Sequence, residues 1–259
     1  SAGKKYLDGL CGISVTNLGH NHPAVTRTIA EQSAKLLHTS NLYQIEAQQA
    51  LAEKLCKLSG MEAVFFGNSG AEANEAAIKI AKLYGHHHNI DEPLILTFSG
   101  SFHGRTLGTI AATANDKIKA GFGPLTPGFK HLPFNDISAV QQAFVEHDNI
   151  VAVLVEPVQG EGGIHLANEE FLIALQALCQ QNDALFMLDE IQSGNARCGR
   201  YFAHQLIDAL QPDVVTLAKA LGNGIPIGAC IARGEAAKTF APGNHGSTFG
   251  GNPFACRVA

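Results

Sequence analysis

Short apolar runs alternate along this chain with longer stretches of helical periodicity, and this alternation constrains the fold more than any other feature. The apolar runs, which we predict to be strands, lie at 63–66, 94–98, 150–155, 184–188 and 214–217. Apolar residues at helical spacing predict helices at 22–38, 46–58, 71–83, 136–146 and 169–180. Strands that alternate with helices favour an α/β fold with a largely parallel sheet.

The run Ile227–Ala232 differs from the others because only a short loop separates it from the preceding predicted strand. A parallel neighbour needs a longer crossover connection, usually a helix. We therefore expect this strand to be antiparallel, within a sheet that is otherwise parallel.

Composition and charge exclude two function classes. The net charge is −5 and the longest basic run is Lys4-Lys5, so no basic patch is available for a nucleic acid. There is no secretory signal, and no apolar run approaches the roughly 18 residues of a membrane-spanning helix. Because 46% of the 259 residues are hydrophobic, the chain can bury a sizeable core. We expect a cytoplasmic protein.

No metal site is expected. The six cysteines are scattered without a Cys-x-x-Cys pair, which favours reduced thiols over zinc ligands or disulfides. The triplet His86-His87-His88 lies between a predicted helix and a predicted strand. Since adjacent side chains diverge, we interpret this triplet as an exposed loop.

Small and polar residues follow the first predicted strand, in the run Asn68–Asn74. At a helix N-terminus, the backbone N–H groups of Ser69, Gly70 and Ala71 could bind a phosphate. The pattern fits equally a serine that only caps the helix.

The loop after the 94–98 run contains an aromatic residue, a histidine and an arginine, namely Phe102, His103 and Arg105. The guanidinium group has the geometry to bind a carboxylate. An ordinary surface loop is the alternative.

Two carboxylates, Glu156 and Glu161, lie in a glycine-rich loop after the 150–155 run. They could be an acid/base pair, metal ligands or structural residues. This loop alone does not decide between these functions.

Two charged residues come directly after apolar runs, Asp189 after 184–188 and Lys219 soon after 214–217. A buried carboxylate is destabilising unless a positive group meets it. A buried lysine loses its proton more readily and becomes an amine nucleophile. The alternative for Lys219 is a side chain that extends to solvent.

One ligand would use all of these groups. A phosphate seat, an aromatic face, a carboxylate and a nucleophilic lysine are the requirements of pyridoxal phosphate (PLP). Lys219 would bond to the cofactor, and Asp189 would keep the pyridine nitrogen protonated so that the ring accepts electrons. Dinucleotide and ATP sites are not indicated, because the Gly-x-Gly-x-x-Gly and Walker patterns are absent.

Over nearly its whole length the sequence resembles the class III (ornithine-type) aminotransferases. The resemblance implies the large domain of a fold-type I PLP-dependent transferase, with a mostly parallel seven-stranded sheet, one antiparallel strand and helices on both faces. The matching runs occur in the family order: Leu18–Pro23, Asn68–Asn74, Ser101–Thr106, Glu156–Gly163, Leu188–Gly194, Ala218–Gly222 and His245–Pro253.

The resemblance also implies roles for individual residues. Lys219 would bind the cofactor and move the proton, and Asp189 would pair with the pyridine nitrogen. Arg105 would bind the substrate α-carboxylate, while Glu161 lies in the loop that helps to select between the amino donor and 2-oxoglutarate. The remaining cofactor contacts would be Ser69, Gly70 and Ala71 at the phosphate, Phe102 on the ring face, Gln192 at the ring oxygen, His103 beside them, and Thr248 at the phosphate of the neighbouring subunit.

The implied reaction is a ping-pong transfer of a terminal amino group to 2-oxoglutarate, in a homodimer with shared active sites. The order Phe102-His103-Gly104-Arg105 favours N-acetylornithine as donor, because ornithine-specific members tend to carry tryptophan at the second place. Ornithine, succinyl-diaminopimelate and 4-aminobutyrate stay open as donors. A fragment that binds PLP without turnover, or one that is only structural, is a further alternative.

The loop after Asp189 departs from the family pattern Gly-x-Gly-Arg-Thr-Gly. It reads Gly194-Asn195-Ala196-Arg197-Cys198-Gly199, so Ala196 replaces a glycine and Cys198 replaces a threonine. If the backbone needs a positive φ at this point, Ala196 introduces strain.

The resemblance implies the domain organisation as well. Residues 1–40 would form the N-terminal segment of a small domain and a linker, and residues 41–259 would form the large PLP-binding domain. We expect the C-terminal small domain of the family to be missing from this chain.

Overall fold

The computed structural model describes residues 3–259, in which helices pack on both faces of a central sheet. The strands are β1 (Ala63–Gly67), β2 (Leu94–Phe98), β3 (Phe129–Leu132), β4 (Ile150–Val155), β5 (Val158–Gln159), β6 (His165–Leu166), β7 (Leu185–Asp189), β8 (Val214–Leu217) and β9 (Gly228–Ala232). The helices are α1 (Cys11–Ser14), α2 (Pro23–Ser33), α3 (Glu46–Ser59), α4 (Gly70–His87), α5 (Leu107–Ala112), α6 (Asp116–Lys119), α7 (Ile137–Glu146), α8 (Glu169–Gln181), α9 (Gly234–Thr239) and α10 (Pro253–Val258), with 3₁₀ turns at Ala203–Leu206 and Lys219–Leu221.

The central sheet has seven strands in the order β1-β9-β8-β7-β4-β2-β3. Strand β9 is antiparallel to β1 and to β8, its two neighbours. The other pairs in this sheet are parallel. The expectation of a mostly parallel seven-stranded sheet with one antiparallel strand at 227–232 is therefore confirmed.

Strand β4 lies inside the sheet, and all six of its residues are buried. Val153 packs in a cluster with Val140 of α7 and Phe171 of α8, while Leu154 packs in a second cluster with Ala77 of α4. Continuous burial is typical of a parallel strand that helices cover on both faces. Among residues 3–259, none of the helices combines the length and apolar character needed to span a bilayer.

Two helix boundaries differ from the prediction. Helix α2 ends at Ser33, not at residue 38, because Leu36 and Leu37 are about half exposed and do not extend a buried face. Helix α4 continues to His87, so the loop predicted for the histidine triplet is wrong. The final turn of α4 is closed by a hydrogen bond from the backbone N–H of His88, and the three histidines are exposed.

Candidate active site

The loops that follow β1, β2, β4, β7 and β8 meet at a cavity of about 230 Å³. Ligands of open α/β sheets bind at this edge, beyond the carboxyl ends of the parallel strands. The lining consists of Gly70, Ala71, Phe102, His103, Gly104, Arg105, Glu156, Glu161, Asp189, Ile191, Gln192 and Lys219. Of the residues expected from the sequence, Ser69 lies beside this lining, and Thr248 is exposed elsewhere on the chain.

The N-terminus of α4 faces the cavity through Gly70 and Ala71. Ser69 caps this helix, since its Oγ accepts a hydrogen bond of 3.2 Å from the backbone N–H of Glu72. The first N–H groups of a helix have no partner inside the helix, so those of Gly70 and Ala71 can bind an anion. A Cβ atom at Gly228 of β9 would collide with the carbonyl oxygen of Ser69. Because glycine has no Cβ atom, this turn can lie close against the sheet.

Asp189 ends β7 with its carboxylate almost fully buried. Its Oδ2 accepts hydrogen bonds from Asn74 Nδ2 at 2.7 Å and from His103 Nδ1 at 2.8 Å. Its Oδ1 accepts one from the backbone N–H of Ile191 at 3.1 Å. These three donors compensate for the burial of the carboxylate and fix its orientation.

Asn74 joins three elements around Asp189. Its Nδ2 also donates to the carbonyl oxygen of His103 at 2.8 Å, and its Oδ1 accepts from Thr216 Oγ1 at 2.7 Å. Sequence reasoning assigned no function to Asn74. The available signal was a polar residue on the buried, alanine-rich face of α4, beside Ala73.

His103 is held by its backbone as well as by its ring. Its N–H donates to Thr113 Oγ1 at 2.8 Å, and its Nε2 is buried without a hydrogen-bond partner among the described residues. Since Nδ1 is directed at Asp189, the imidazole orients that carboxylate.

Lys219 follows β8 and has a φ of +48°, in the left-handed region that side-chain-bearing residues rarely adopt. The residue is partly buried and lines the cavity, rather than extending along the surface. Burial lowers the pKa of its amine, while the nearby carboxylates of Asp189 and Glu161 oppose that shift. The amine is therefore deprotonated more readily than an exposed lysine.

The two carboxylates of the glycine-rich loop have different surroundings. Glu156 is buried, and its Oε2 accepts a hydrogen bond of 3.0 Å from the backbone N–H of Phe102. Burial, reinforced by the neighbouring Asp189, raises the pKa of Glu156 well above its ordinary value. Glu161 is exposed at the cavity. In residues 3–259 no group of three or more His, Cys, Asp or Glu side chains is arranged to hold a metal ion.

Arg105 lies at the open side of the cavity. Its guanidinium carbon is 5.8 Å from the centroid of the Phe102 ring, a cation–π geometry, and the side chain is exposed. The positive charge can therefore meet a carboxylate that enters from solvent.

The loop after Asp189 contains consecutive residues of positive φ, +54° at Asn195 and +65° at Ala196. The backbone therefore has the left-handed conformation for which the family pattern has glycine, and Ala196 is strained there.

Taken together, these groups can hold a flat, phosphorylated heteroaromatic aldehyde. Lys219 offers an amine, Asp189 a buried carboxylate, Phe102 an aromatic face, and the start of α4 an anion site. This set of donors fits PLP.

Comparisons with known proteins agree with this chemistry. The sequence matches the family described as Aminotransferase class-III over residues 1–259. It is 52% identical to the acetylornithine aminotransferase of Nitrosomonas europaea over 99% of this chain and 65% of that protein. It is 49% identical to the acetylornithine aminotransferase of Methanocaldococcus jannaschii over 99% of this chain and 64% of that protein. The chain thus spans slightly less than two thirds of the length of these relatives.

Solved structures superpose over the same region. The ornithine aminotransferase of Toxoplasma gondii ME49 gives a TM-score of 0.94 at 34% identity, covering 99% of this chain and 62% of that one. The N-acetylornithine aminotransferase of Stenotrophomonas maltophilia K279a gives a TM-score of 0.84 at 41% identity, covering 100% of this chain and 62% of that one. With its fold, its cavity and its sequence in agreement, the chain belongs to the class III aminotransferases, a PLP-dependent family.

Proposed function

We propose that this chain is the cofactor-binding part of an enzyme that transfers the terminal amino group of N-acetylornithine to 2-oxoglutarate in arginine biosynthesis. The observation that carries the proposal is the meeting of Lys219, Asp189 and Arg105 at one cavity. The donor is proposed because the similar curated proteins from Nitrosomonas europaea and Methanocaldococcus jannaschii are acetylornithine aminotransferases.

When bound, PLP supplies an aldehyde that takes up the amino group and a ring that accepts electrons from the adjacent carbon. Asp189 is the residue proposed to hold a proton on the ring nitrogen, with its carboxylate oriented by Asn74 and His103. Phe102 is proposed to cover one ring face, and Gln192 to reach the ring oxygen.

Lys219 is proposed as the residue that binds the cofactor and moves the proton. An amine can accept a proton only in its neutral form, and burial favours that form at this position. Holding the amine beside the reacting carbon also replaces a diffusional encounter with a fixed geometry.

Arg105 is proposed to bind the α-carboxylate of the substrate, for which its fork geometry is suited. Glu161 is exposed at the same cavity and is proposed to help the site to accept the amino donor and 2-oxoglutarate in turn. The phosphate is assigned to Ser69, Gly70 and Ala71.

A homodimer is part of the proposal. Thr248 is exposed and does not line the cavity of its own chain, which fits a contact to the phosphate in a neighbouring subunit. Among described residues the first buried position is Ile45, which supports a large domain that begins near residue 41. A cytoplasmic location is proposed with the biosynthetic function.

Ornithine is the second candidate donor, since the Toxoplasma gondii ornithine aminotransferase superposes with a TM-score of 0.94. Succinyl-diaminopimelate and 4-aminobutyrate are further donors to be assayed with 2-oxoglutarate. We expect the highest kcat/KM with N-acetylornithine. No turnover of it, with turnover of another donor, would reject this choice.

The cofactor assignment has its own test. Purified protein incubated with PLP should develop the absorption band of the lysine-bound cofactor, and Lys219→Ala should abolish it. Lys117→Ala, a change at an exposed lysine of α6, should leave the band unchanged. Absence of the band from the unmodified protein would contradict the proposal.

A further inference from the structure

The turn that carries Lys219 is held by a side chain from another loop. Asn195 Nδ2 donates a hydrogen bond of 3.1 Å to the carbonyl oxygen of Ala218, the residue directly before the lysine. Ala218 has a φ of −165° and a ψ of −142°, and the chain then changes at Lys219 to a φ of +48°. The contact therefore acts on the peptide whose orientation determines where the lysine side chain begins.

Asn195 is itself fixed by the N-terminal segment. Its carbonyl oxygen accepts a hydrogen bond of 2.9 Å from Asn17 Nδ2. Arg197 in turn donates from Nη2 to the Oδ1 of Asn17. A chain of contacts thus runs from Arg197 through Asn17 and Asn195 to the turn of Lys219.

The side-chain amide of Asn195 forms a hydrogen bond through its nitrogen but not through its oxygen. Its Oδ1 is buried without a hydrogen-bond partner among the described residues, which is destabilising. Its Nδ2, by contrast, donates a hydrogen bond to the carbonyl oxygen of Ala218. Asn195 is also absent from the lining of the cavity, so it reaches neither cofactor nor substrate directly.

We propose that Asn195 is a positioning residue, which holds the Ala218 carbonyl and thereby keeps Lys219 in the left-handed conformation that directs its amine into the cavity. The inference rests on the proposed function in one respect, namely that Lys219 is the reactive amine.

A simpler explanation is that asparagine stands at this position only because it tolerates a positive φ. Asn195→Gly separates the two explanations, since glycine accepts this backbone conformation and removes the amide. The matched control is Ala196→Gly. This neighbour also has a positive φ, is exposed, and has no side chain that could hold Ala218.

The experiment measures Lys219 in cofactor-free protein. The folded protein is acetylated at a series of pH values, and mass spectrometry of the peptide that contains Lys219 gives the rate at each pH. The midpoint of this rate profile reports the pKa of the Lys219 amine. The charged groups around it are Asp189, Glu161, Glu156 and Arg197, and neither variant changes them. Asn195→Gly should raise the midpoint by about half to one pH unit as the lysine becomes more exposed. Ala196→Gly should leave the midpoint unchanged.

A second measurement is PLP uptake, followed by absorbance. Asn195→Gly should lower the affinity for PLP about tenfold, because the Lys219 amine is no longer held in place. Ala196→Gly should match the unmodified protein. If Asn195→Gly does not fold alone, it is made in the Ala196→Gly background and compared with that single variant.

The outcomes separate the inference from the proposed function. If the unmodified protein takes up no PLP, the proposed function fails, while the acetylation midpoint still tests Asn195. If PLP is taken up and Asn195→Gly matches Ala196→Gly in both midpoint and uptake, the positioning role is overturned.

Discussion

Nδ1 of His103 lies 2.8 Å from Oδ2 of Asp189, and both side chains are almost completely buried. The pair sits at the carboxyl end of β7, where Asn74 provides a second donor to the same oxygen. A buried carboxylate held by two side-chain donors keeps its orientation whether or not a ligand is present. The imidazole thus contributes to the site through Asp189.

We predict that His103→Ala lowers the free energy of unfolding by about 2–4 kcal/mol, because it removes a donor to Asp189 and leaves a cavity. It should also weaken PLP binding. In His103→Asn an amide nitrogen can take the place of Nδ1, so both losses should be smaller. Urea unfolding and PLP titration measure the two effects. Equal PLP affinity in all three proteins would contradict the role of His103.

Glu156→Gln should change how stability depends on pH. The carboxyl ordinarily loses its proton near pH 4.5, whereas burial raises the pKa in the folded protein well above that value. Between pH 4.5 and the raised pKa, the folded state binds more protons than the unfolded state. The free energy of unfolding therefore falls as pH rises, by at most about 1.4 kcal/mol per pH unit. In Glu156→Gln the side-chain amide still offers an oxygen to the backbone N–H of Phe102, but it does not titrate. The variant therefore lacks this dependence of stability on pH.

The measurement for Glu156→Gln is urea unfolding at several pH values between about 5 and 7. The stability of the unmodified protein relative to the variant should decline steadily across this range. A difference that stays constant with pH would show that Glu156 is ionised in the folded state, like an exposed glutamate.

Ala196→Gly should stabilise the protein by about 1 kcal/mol, since glycine adopts a φ of +65° without the steric cost that alanine incurs. Ala30→Gly is the matched control, because Ala30 is exposed in the middle of α2. There the same chemical change should destabilise by about 0.5–1 kcal/mol. Thermal unfolding of both variants checks the opposite signs, and a loss of stability in Ala196→Gly would show that the loop is unstrained.

If Thr248 serves the neighbouring subunit, two inactive variants should complement each other. Thr248→Glu places a negative charge at the proposed phosphate contact, and Lys219→Ala removes the amine. In a hybrid of the two, one site combines the natural Lys219 with the natural Thr248. Random mixing should therefore restore about a quarter of the natural turnover per subunit. No recovery, with hybrids demonstrated by mass, would place Thr248 outside the shared site.

The central strands were predictable because they are buried on both faces and read as continuous apolar runs, as in β4. Strand β3 was not located, since Phe129–Leu132 lies at the sheet edge and includes Lys130 and His131. The pair of β5 and β6 was also missed, because each strand has only two residues within a glycine-rich loop.

The expected site residues other than Thr248 could be placed at one edge from topology alone, because parallel strands bring their carboxyl ends together. The residues that orient these site residues could not be identified from the sequence. The contacts of Asn74 with Asp189 and of Asn195 with Ala218 join positions more than 20 residues apart, and no local pattern specifies them. One clue was available in this loop, at Ala196, where the replacement of a family glycine raised the question of strain if the backbone needs a positive φ.

The antiparallel strand β9 has a consequence for folding order. In the sheet β1 pairs only with β9, with Ala63 opposite Ala232, so nearly the whole described chain must be synthesised before β1 has a partner. Such distant pairing is slow, because a long loop is closed before the contact contributes. Gly70 and Ala71 lie a few residues after the end of β1 at Gly67. The turn proposed to bind the phosphate should therefore be among the last parts of the protein to form, after β4 and β7, which precede Glu156 and carry Asp189, have joined the sheet.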